Sequence, residues 1–311
     1  MLRIYLSHWQ KTLVIALPIV MGNVGHILLH LADSAMVGRV GSNSLAAASL
    51  GNGVATVMLV LGMGLTFGLT PLVAASLGKK DRPEIVGWLR NAALINLIVG
   101  ILLFLLVLLV APILGMLNQP VQVVKLATPY FQVVGLSLVP LMVFQTYKQF
   151  AEGLSDTTVA MYVSIFANCL NIFLNWVFIF GELGMPRMEL MGAGWATFFS
   201  RVVMALLMMA YVYYGKNFKI YRAGFVFRGF SWEKIRKLVA VGLPIGFQFV
   251  LEVGVFVFGL IMIGWIGAAP LAAHQVAISL AAVTYMMASG ISSATTVRVG
   301  FYLGAGKPRH L

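Results

Sequence analysis

His26-Ile-Leu-Leu-His-Leu-Ala-Asp-Ser-Ala-Met-Val-Gly-Arg-Val-Gly41 closes a stretch, Thr12 to Val37, that is almost wholly apolar. Within that stretch lie Asn23, His26, His30 and a single carboxylate, Asp33. A helix needs about 20 apolar residues to cross the hydrocarbon of a bilayer, and this run is long enough. An ionisable side chain at such depth is costly, so chains keep one mainly where it faces a bundle interior or a wet cavity. Asp33 is therefore a functional candidate. The bland alternative is a residue near the helix end that reaches the headgroups, since Gly38 and Gly41 follow within about two turns.

Seven similar runs follow outward from this one. The expected spans are Thr12–Val37, Leu45–Leu77, Asn91–Leu117, Val121–Phe150, Val159–Gly181, Ala193–Tyr214, Leu238–Ile266 and Leu271–Leu303. Of the 311 residues, 60% are hydrophobic and 10% charged, with mean hydropathy +0.95. A soluble domain carries about 25% charged residues, so the expected class is an all-α polytopic membrane helical bundle. The only cysteine, Cys169, excludes an intramolecular disulfide. Met1 to Lys11 shows no signal-peptide pattern.

The net charge of +12 would suit a nucleic-acid patch, but the charges alternate with the spans. With the N-terminus on one side, 15 of the 21 basic residues fall on that side, Lys148 among them. The opposite side carries only Arg39, Lys125 and Arg187. Basic loops stay cytoplasmic, so the N-terminus and the basic connection between Tyr214 and Lys237 are expected to face the cytoplasm of an inner (plasma) membrane. That connection is the expected boundary: a six-helix lobe at residues 1–214, a linker at 215–237, and a second unit at 238–311.

A shift of 226 residues reveals an internal repeat. Leu17-Pro-Ile19 falls on Leu243-Pro-Ile245, Leu45-Ala-Ala47 on Leu271-Ala-Ala273, Gly64 on Gly290, and Leu77-Gly78 on Leu303-Gly304. From Lys11 to Arg82, 18 of 72 positions are identical without a gap. Coincident proline and glycine weigh most, because these residues set backbone shape. The second copy begins after an even number of spans, so both copies share one orientation, related by an axis along the membrane normal. A full second unit needs four more spans; the expectation is that the chain is a fragment, the alternative a genuine eight-helix protein.

Only nine acids exist. Seven sit in loops or at helix ends, and two, Asp33 and Glu252, lie within apolar runs. Glu252, eight residues past Pro244, is expected to be the better buried of the two. Asn168, Asn171 and Asn175 line one side of the fifth span at helical spacing. Amide oxygens are hard ligands for small cations, and amide nitrogens donate to carboxylates, although such groups also glue helices together. The sixth span opens with Gly192-Ala-Gly-Trp-Ala-Thr197, where a hydroxyl and a carbonyl could complete a cation shell and small residues could equally serve packing. Arg201 follows one turn later, as a buried or snorkelling residue with no assigned role. His274 and Gln275 could line a cavity or cap a helix, and His26 and Asn168 from the first lobe are further substrate-cavity candidates. HExxH, G-x-S-x-G and P-loop patterns are absent, and the histidines and cysteine are too scattered for zinc.

Taken together, these residues resemble the multidrug and toxic compound extrusion (MATE) family. The resemblance is carried by Leu17-Pro18 ahead of Asp33-Ser-Ala-Met-Val-Gly38, Leu45-Ala-Ala47, Asn171 through Asn175 into Phe178-Ile-Phe-Gly181, and Gly192-Ala-Gly-Trp-Ala-Thr197. Leu243-Pro-Ile-Gly246, Glu252 and His274-Gln-Val-Ala277 look like the seventh and eighth helices of its NorM-like branch. The resemblance implies two six-helix lobes, of which this chain holds the first and the opening two helices of the second, and alternating access driven by Na⁺ or H⁺. It implies a cation site at Asp33, Asn171, Asn175 and Thr197, with the Ala193 carbonyl, where Na⁺ is one candidate ion. Some members carry aspartate at the Asn175 position, so this lobe keeps one acid. It also implies that Glu252 pairs with an acid on a later helix.

The expected function is a monomeric, cation-coupled antiporter exporting amphipathic or cationic drugs or metabolites, with no cofactor beyond the coupling ion and no enzymatic reaction. The first competitor is a flippase for lipid-linked oligosaccharides, which calls for several cations in its groove; the spans offer chiefly Arg201 and Arg298. An intramembrane enzyme would need a nucleophile–base or metal constellation, and none is evident.

Overall fold

A computed structural model describes residues 2–116, 119–226, 229–266 and 268–307; in the last helix, side chains are described at 274, 277, 278 and from 281 onward. Among the described residues every regular element is helical. The helices are α1 (Leu2–Gly38), α2 (Ser42–Phe67), α3 (Leu69–Gly78), α4 (Arg82–Val110), α5 (Val121–Leu136), α6 (Leu138–Gly153), α7 (Thr158–Phe180), α8 (Glu189–Tyr214), α9 (Trp232–Ile266) and α10 (Ala268–Gly304). Short 3₁₀ segments occupy Ala111–Met116 and Lys216–Phe225. By length and composition, seven spans among the described residues can cross a membrane, and α10 occupies the eighth expected run. The architecture is a six-span lobe followed by the first two helices of a second lobe.

Two expected spans are each two helices. The second breaks at Gly68 and the fourth at Ser137, so α2–α3 and α5–α6 are paired half-elements. Elsewhere local chemistry fixes the ends. Asp81 caps α4, its side chain accepting from the Glu84 backbone N–H at 2.9 Å, with Pro83 in the first turn. Gly181 ends α7 in the left-handed conformation (φ 79°), which glycine adopts without Cβ strain.

The inner half of α6 departs from a surface helix. Every residue from Phe144 to Gly153 is buried. Lys148 therefore does not belong with the solvated basic residues, as its place near a loop suggested. It is 8% exposed and forms an ion pair with Glu152, itself 2% exposed, at 3.8 Å. A narrow cleft between this pair and α1 and α7 is lined by Pro18, Gly22 and Ser164.

The connection between the lobes is packed rather than loose. Tyr147 stacks on Phe225 at 5.3 Å, and Phe150 meets Phe218 and Tyr221. Arg90 donates to the Ala223 carbonyl at 2.9 Å and the Gly229 carbonyl at 3.4 Å. Ser231 donates its backbone N–H to Asn91 at 3.0 Å.

The lobes meet through glycine. A Cβ on Gly64 of α2 would collide with the Gly246 backbone of α9, and one on Gly290 of α10 with Val20 of α1. A Cβ on Gly78 would collide with the Phe301 carbonyl, and one on Gly304 with the Ala75 carbonyl. These contacts interchange under the 226-residue shift: 64 and 20 become 290 and 246, and 78 and 75 become 304 and 301. A two-fold relation between the lobes requires that exchange. Arg298 donates to Thr12, and Phe67 meets Phe249 at 5.7 Å.

Candidate functional site

Helices α1, α7 and α8 place the site. Gly192 lets α8 approach the α7 backbone at Phe178, where a Cβ would stand 2.6 Å from its carbonyl carbon. Gly25 brings α1 to α7; its Cβ position lies 3.1 Å from Asn168 Nδ2. Asn168, Asn171 and Asn175 consequently face the bundle interior, at 8%, 1% and 0% exposure. Asp33 and Thr197 are half-buried beside them.

The structure brings Asp33, Asn171, Asn175 and Thr197 into one polar cluster. Asn175 Nδ2 donates to Asp33 Oδ1 at 2.6 Å and to Asn171 Oδ1 at 3.0 Å. Asn171 Nδ2 donates to Ser200 Oγ at 3.2 Å, and Ser200 donates to the Thr197 carbonyl at 3.0 Å. The two ends of an amide are told apart by their partners. With Asn171 turned, its nitrogen donates to Asp33 Oδ1 at 3.0 Å and its oxygen accepts from Ser200 Oγ and the Thr197 N–H, each at 3.2 Å. Either way Asp33 is held by amide donors across the α1–α7 interface. The Ala193 carbonyl accepts the Thr197 hydroxyl at 2.9 Å, so these two groups are already engaged with each other.

Asn175 Oδ1 is buried and has no hydrogen-bond partner. A buried acceptor left unpaired costs about 1–3 kcal/mol, so it calls for an additional group. The same amide contacts the Asp33 carboxylate and the Asn171 amide, and Thr197 adjoins Asn171 through Ser200: a hard, oxygen-rich set of the kind that suits a small cation such as Na⁺. Among the described residues no cluster of three or more His, Cys, Asp or Glu could hold a softer metal.

The remaining candidates lie apart from this cluster. His26 is half-buried on α1, seven residues before Asp33. Glu252 sits on α9 in the second lobe, close to Tyr285 of α10. It is half-buried, as Asp33 is, so the expected difference in burial is not observed. Crossing to α10, His274 is half-buried, and the side chain of Gln275 lies outside the described residues.

Ser200, a member of the cluster, went unread in the sequence, and its neighbour Arg201 was given no role there. Ser200 bonds Asn171, and Arg201 donates to Ser137 Oγ at 2.7 Å, at the α5–α6 break. Their spacing from Thr197, three and four residues, puts all three on one helical face and was the available signal.

An intramembrane carboxylate held by an amide ladder, inside a repeated bundle of membrane-spanning helices, defines a polytopic membrane protein with a polar interior site. The chain belongs to the MatE family, whose model matches residues 18–177 and 244–311. It is 32% identical over 304 residues to "Multidrug resistance protein PmpM" of Pseudomonas aeruginosa, covering 96% of this chain and 63% of that protein. It is 31% identical over 301 residues to "Probable multidrug resistance protein NorM" of Mesorhizobium japonicum, covering 96% and 64%. The chain thus spans about two-thirds of the length of the curated relatives it matches. Its fold is similar to an outward-facing multidrug resistance MATE family transporter of the MOP superfamily, with a TM-score of 0.87 at 24% identity over 97% of this chain and 66% of that one.

Proposed function

We propose that the protein is a cation-coupled antiporter that exports amphipathic, often cationic, drugs or metabolites by alternating access. The observation that carries this reading is the bond from Asn175 to Asp33 beside the unpartnered Asn175 oxygen. A lone carboxylate can bind Na⁺ or a proton with different affinity in two conformations, and coupling requires that difference. Glycine contacts that join the lobes at one end supply a surface able to close and part. The PmpM and NorM relatives, named for multidrug resistance, support export as the direction.

In this reading residues 1–214 form the first lobe, 215–237 the cytoplasmic linker and 238–311 the start of the second. The N-terminus faces the cytoplasm of the inner membrane. Asp33, Asn171, Asn175 and Thr197 take the coupling ion, with the Ala193 carbonyl reached if the Thr197 hydroxyl turns away. Glu252 serves the second lobe, and His26, Asn168, His274 and Gln275 border the substrate path. The transporter works as a monomer, without a cofactor and without an enzymatic step. The test is Asp33→Asn in the full-length protein, reconstituted in proteoliposomes and loaded with ethidium. Efflux should lose its dependence on an imposed Na⁺ or H⁺ gradient; efflux equal to wild type under both gradients would remove the proposal.

A further inference from the structure

Arg201 has no place in the cluster described above, yet its position is constrained. It lies one turn past Thr197 and next to Ser200, on the α8 face that carries the site. Its Nη1 donates to Ser137 Oγ, a fully buried hydroxyl at the junction of α5 and α6. A guanidinium inside a lobe needs an anion, since leaving either member of a buried charge pair alone is strongly unfavourable. Two acids lie inside the first lobe, Glu152 and Asp33, and Glu152 has Lys148. Arg201 adjoins Ser200, which is linked through Asn171 and Asn175 to Asp33, and no Lys or Arg of the described residues pairs with Asp33 within 4.0 Å. The guanidinium therefore balances the carboxylate from a distance, leaving the Asp33 oxygens to the amides. Tyr130, His26 and His30 are the other titratable groups in range of Arg201, and Tyr130 is tied to Asn52 at 3.1 Å.

We propose that Arg201 is a tethered counter-cation of Asp33: held on Ser137, it neutralises the carboxylate whenever the coupling ion has left and opposes the ion's return. This inference rests on the coupling role given to Asp33. An empty carboxylate in a low-dielectric interior would otherwise hold its ion too firmly to release it. At an effective dielectric of about 20, a unit charge about 10 Å from a carboxylate changes its affinity for a cation by about ten-fold. The tether also connects occupancy of Asp33 on α1 to the break in the fourth span. Arg201 is a positioning residue on this view.

The test measures ethidium efflux from proteoliposomes of the full-length protein against Na⁺ concentration and, separately, against pH, for wild type, R201Q, R201K and D33N. R201Q should lower the half-saturating concentration of the driving ion about ten-fold and slow maximal efflux, because release becomes slow. R201K keeps the charge and should stay within about two-fold of wild type. An unshifted half-saturation in R201Q overturns the proposal, as does R201K behaving like R201Q. Should R201Q not fold, R201M takes its place with the same expected shift. If D33N keeps gradient-driven efflux, the coupling reading itself fails; if D33N loses it while R201Q is unshifted, only the role of Arg201 fails.

Discussion

Asn175 on α7 donates to Asp33 on α1 at 2.6 Å, while its own amide oxygen is buried without a partner. One side chain thus stabilises the carboxylate through its nitrogen and leaves its oxygen beside it for a further donor or cation. That division explains why an amide suits the position. It cannot carry charge, so Asp33 is the one acidic group of the cluster.

Asn175→Asp tests this division. A second carboxylate would face the first at hydrogen-bond distance, and like charges so close cannot both stay ionised without a bound cation. The variant should hold the coupling ion more tightly and release it more slowly. Half-saturating Na⁺ or H⁺ for ethidium efflux should fall by an order of magnitude or more, with maximal efflux reduced. Unchanged half-saturation would show that position 175 does not face the ion.

Much of this site could be read from the chain. The spacing of Asn168, Asn171 and Asn175 fixes a helical face, and a carboxylate within an apolar run has few tolerable places, so their meeting was legible. The repeat was legible because proline and glycine constrain backbone shape wherever they fall. Other features depend on neighbours distant in sequence. Lys148 and Glu152 sit near a helix end, where charges are normally solvated; only the packing of other elements around α6 buries them. The break at Ser137 lies between Gly135 and Pro140, residues a continuous span tolerates. The linker has no helical hydrophobic period, yet Phe218, Tyr221 and Phe225 anchor it through rings.

Gly64→Leu and Gly290→Leu should differ in severity although the repeat makes the positions equivalent. At Gly64 the added atoms meet the Gly246 backbone, which cannot rotate away; at Gly290 they meet mainly the Val20 side chain. Overpacking of this kind costs about 1–3 kcal/mol, with the backbone clash at the upper end. Spin labels on Lys80 and Lys307, both exposed at this end, report the separation of the lobes. The distance distribution should shift to longer values in G64L and less so in G290L. Equal distributions in both variants and wild type would mean that the seam does not control closure.

Arg90→Ala should free the linker without unfolding the lobes. The guanidinium holds the Ala223 and Gly229 carbonyls, and its loss leaves the ring contacts as the main anchors. Cleavage by a protease between Lys216 and Ser231 should become faster, while the thermal midpoint of the purified protein changes little. Cleavage at the wild-type rate would show that the rings alone clamp the segment.

Lys148→Ala should be more damaging than removing the whole pair. Lys148 and Glu152 are both nearly inaccessible, and Glu152 Oε1 has no hydrogen-bond partner besides the ion pair. Deleting the lysine strands a buried carboxylate, a change worth about 3–5 kcal/mol in buried pairs, whereas replacing both charges by neutral groups of similar volume is often close to neutral. Thermal unfolding in detergent should therefore rank wild type and K148M/E152Q together, with K148A well below. If K148A and the double variant melted at the same temperature, the interaction would contribute nothing beyond the volume of its side chains.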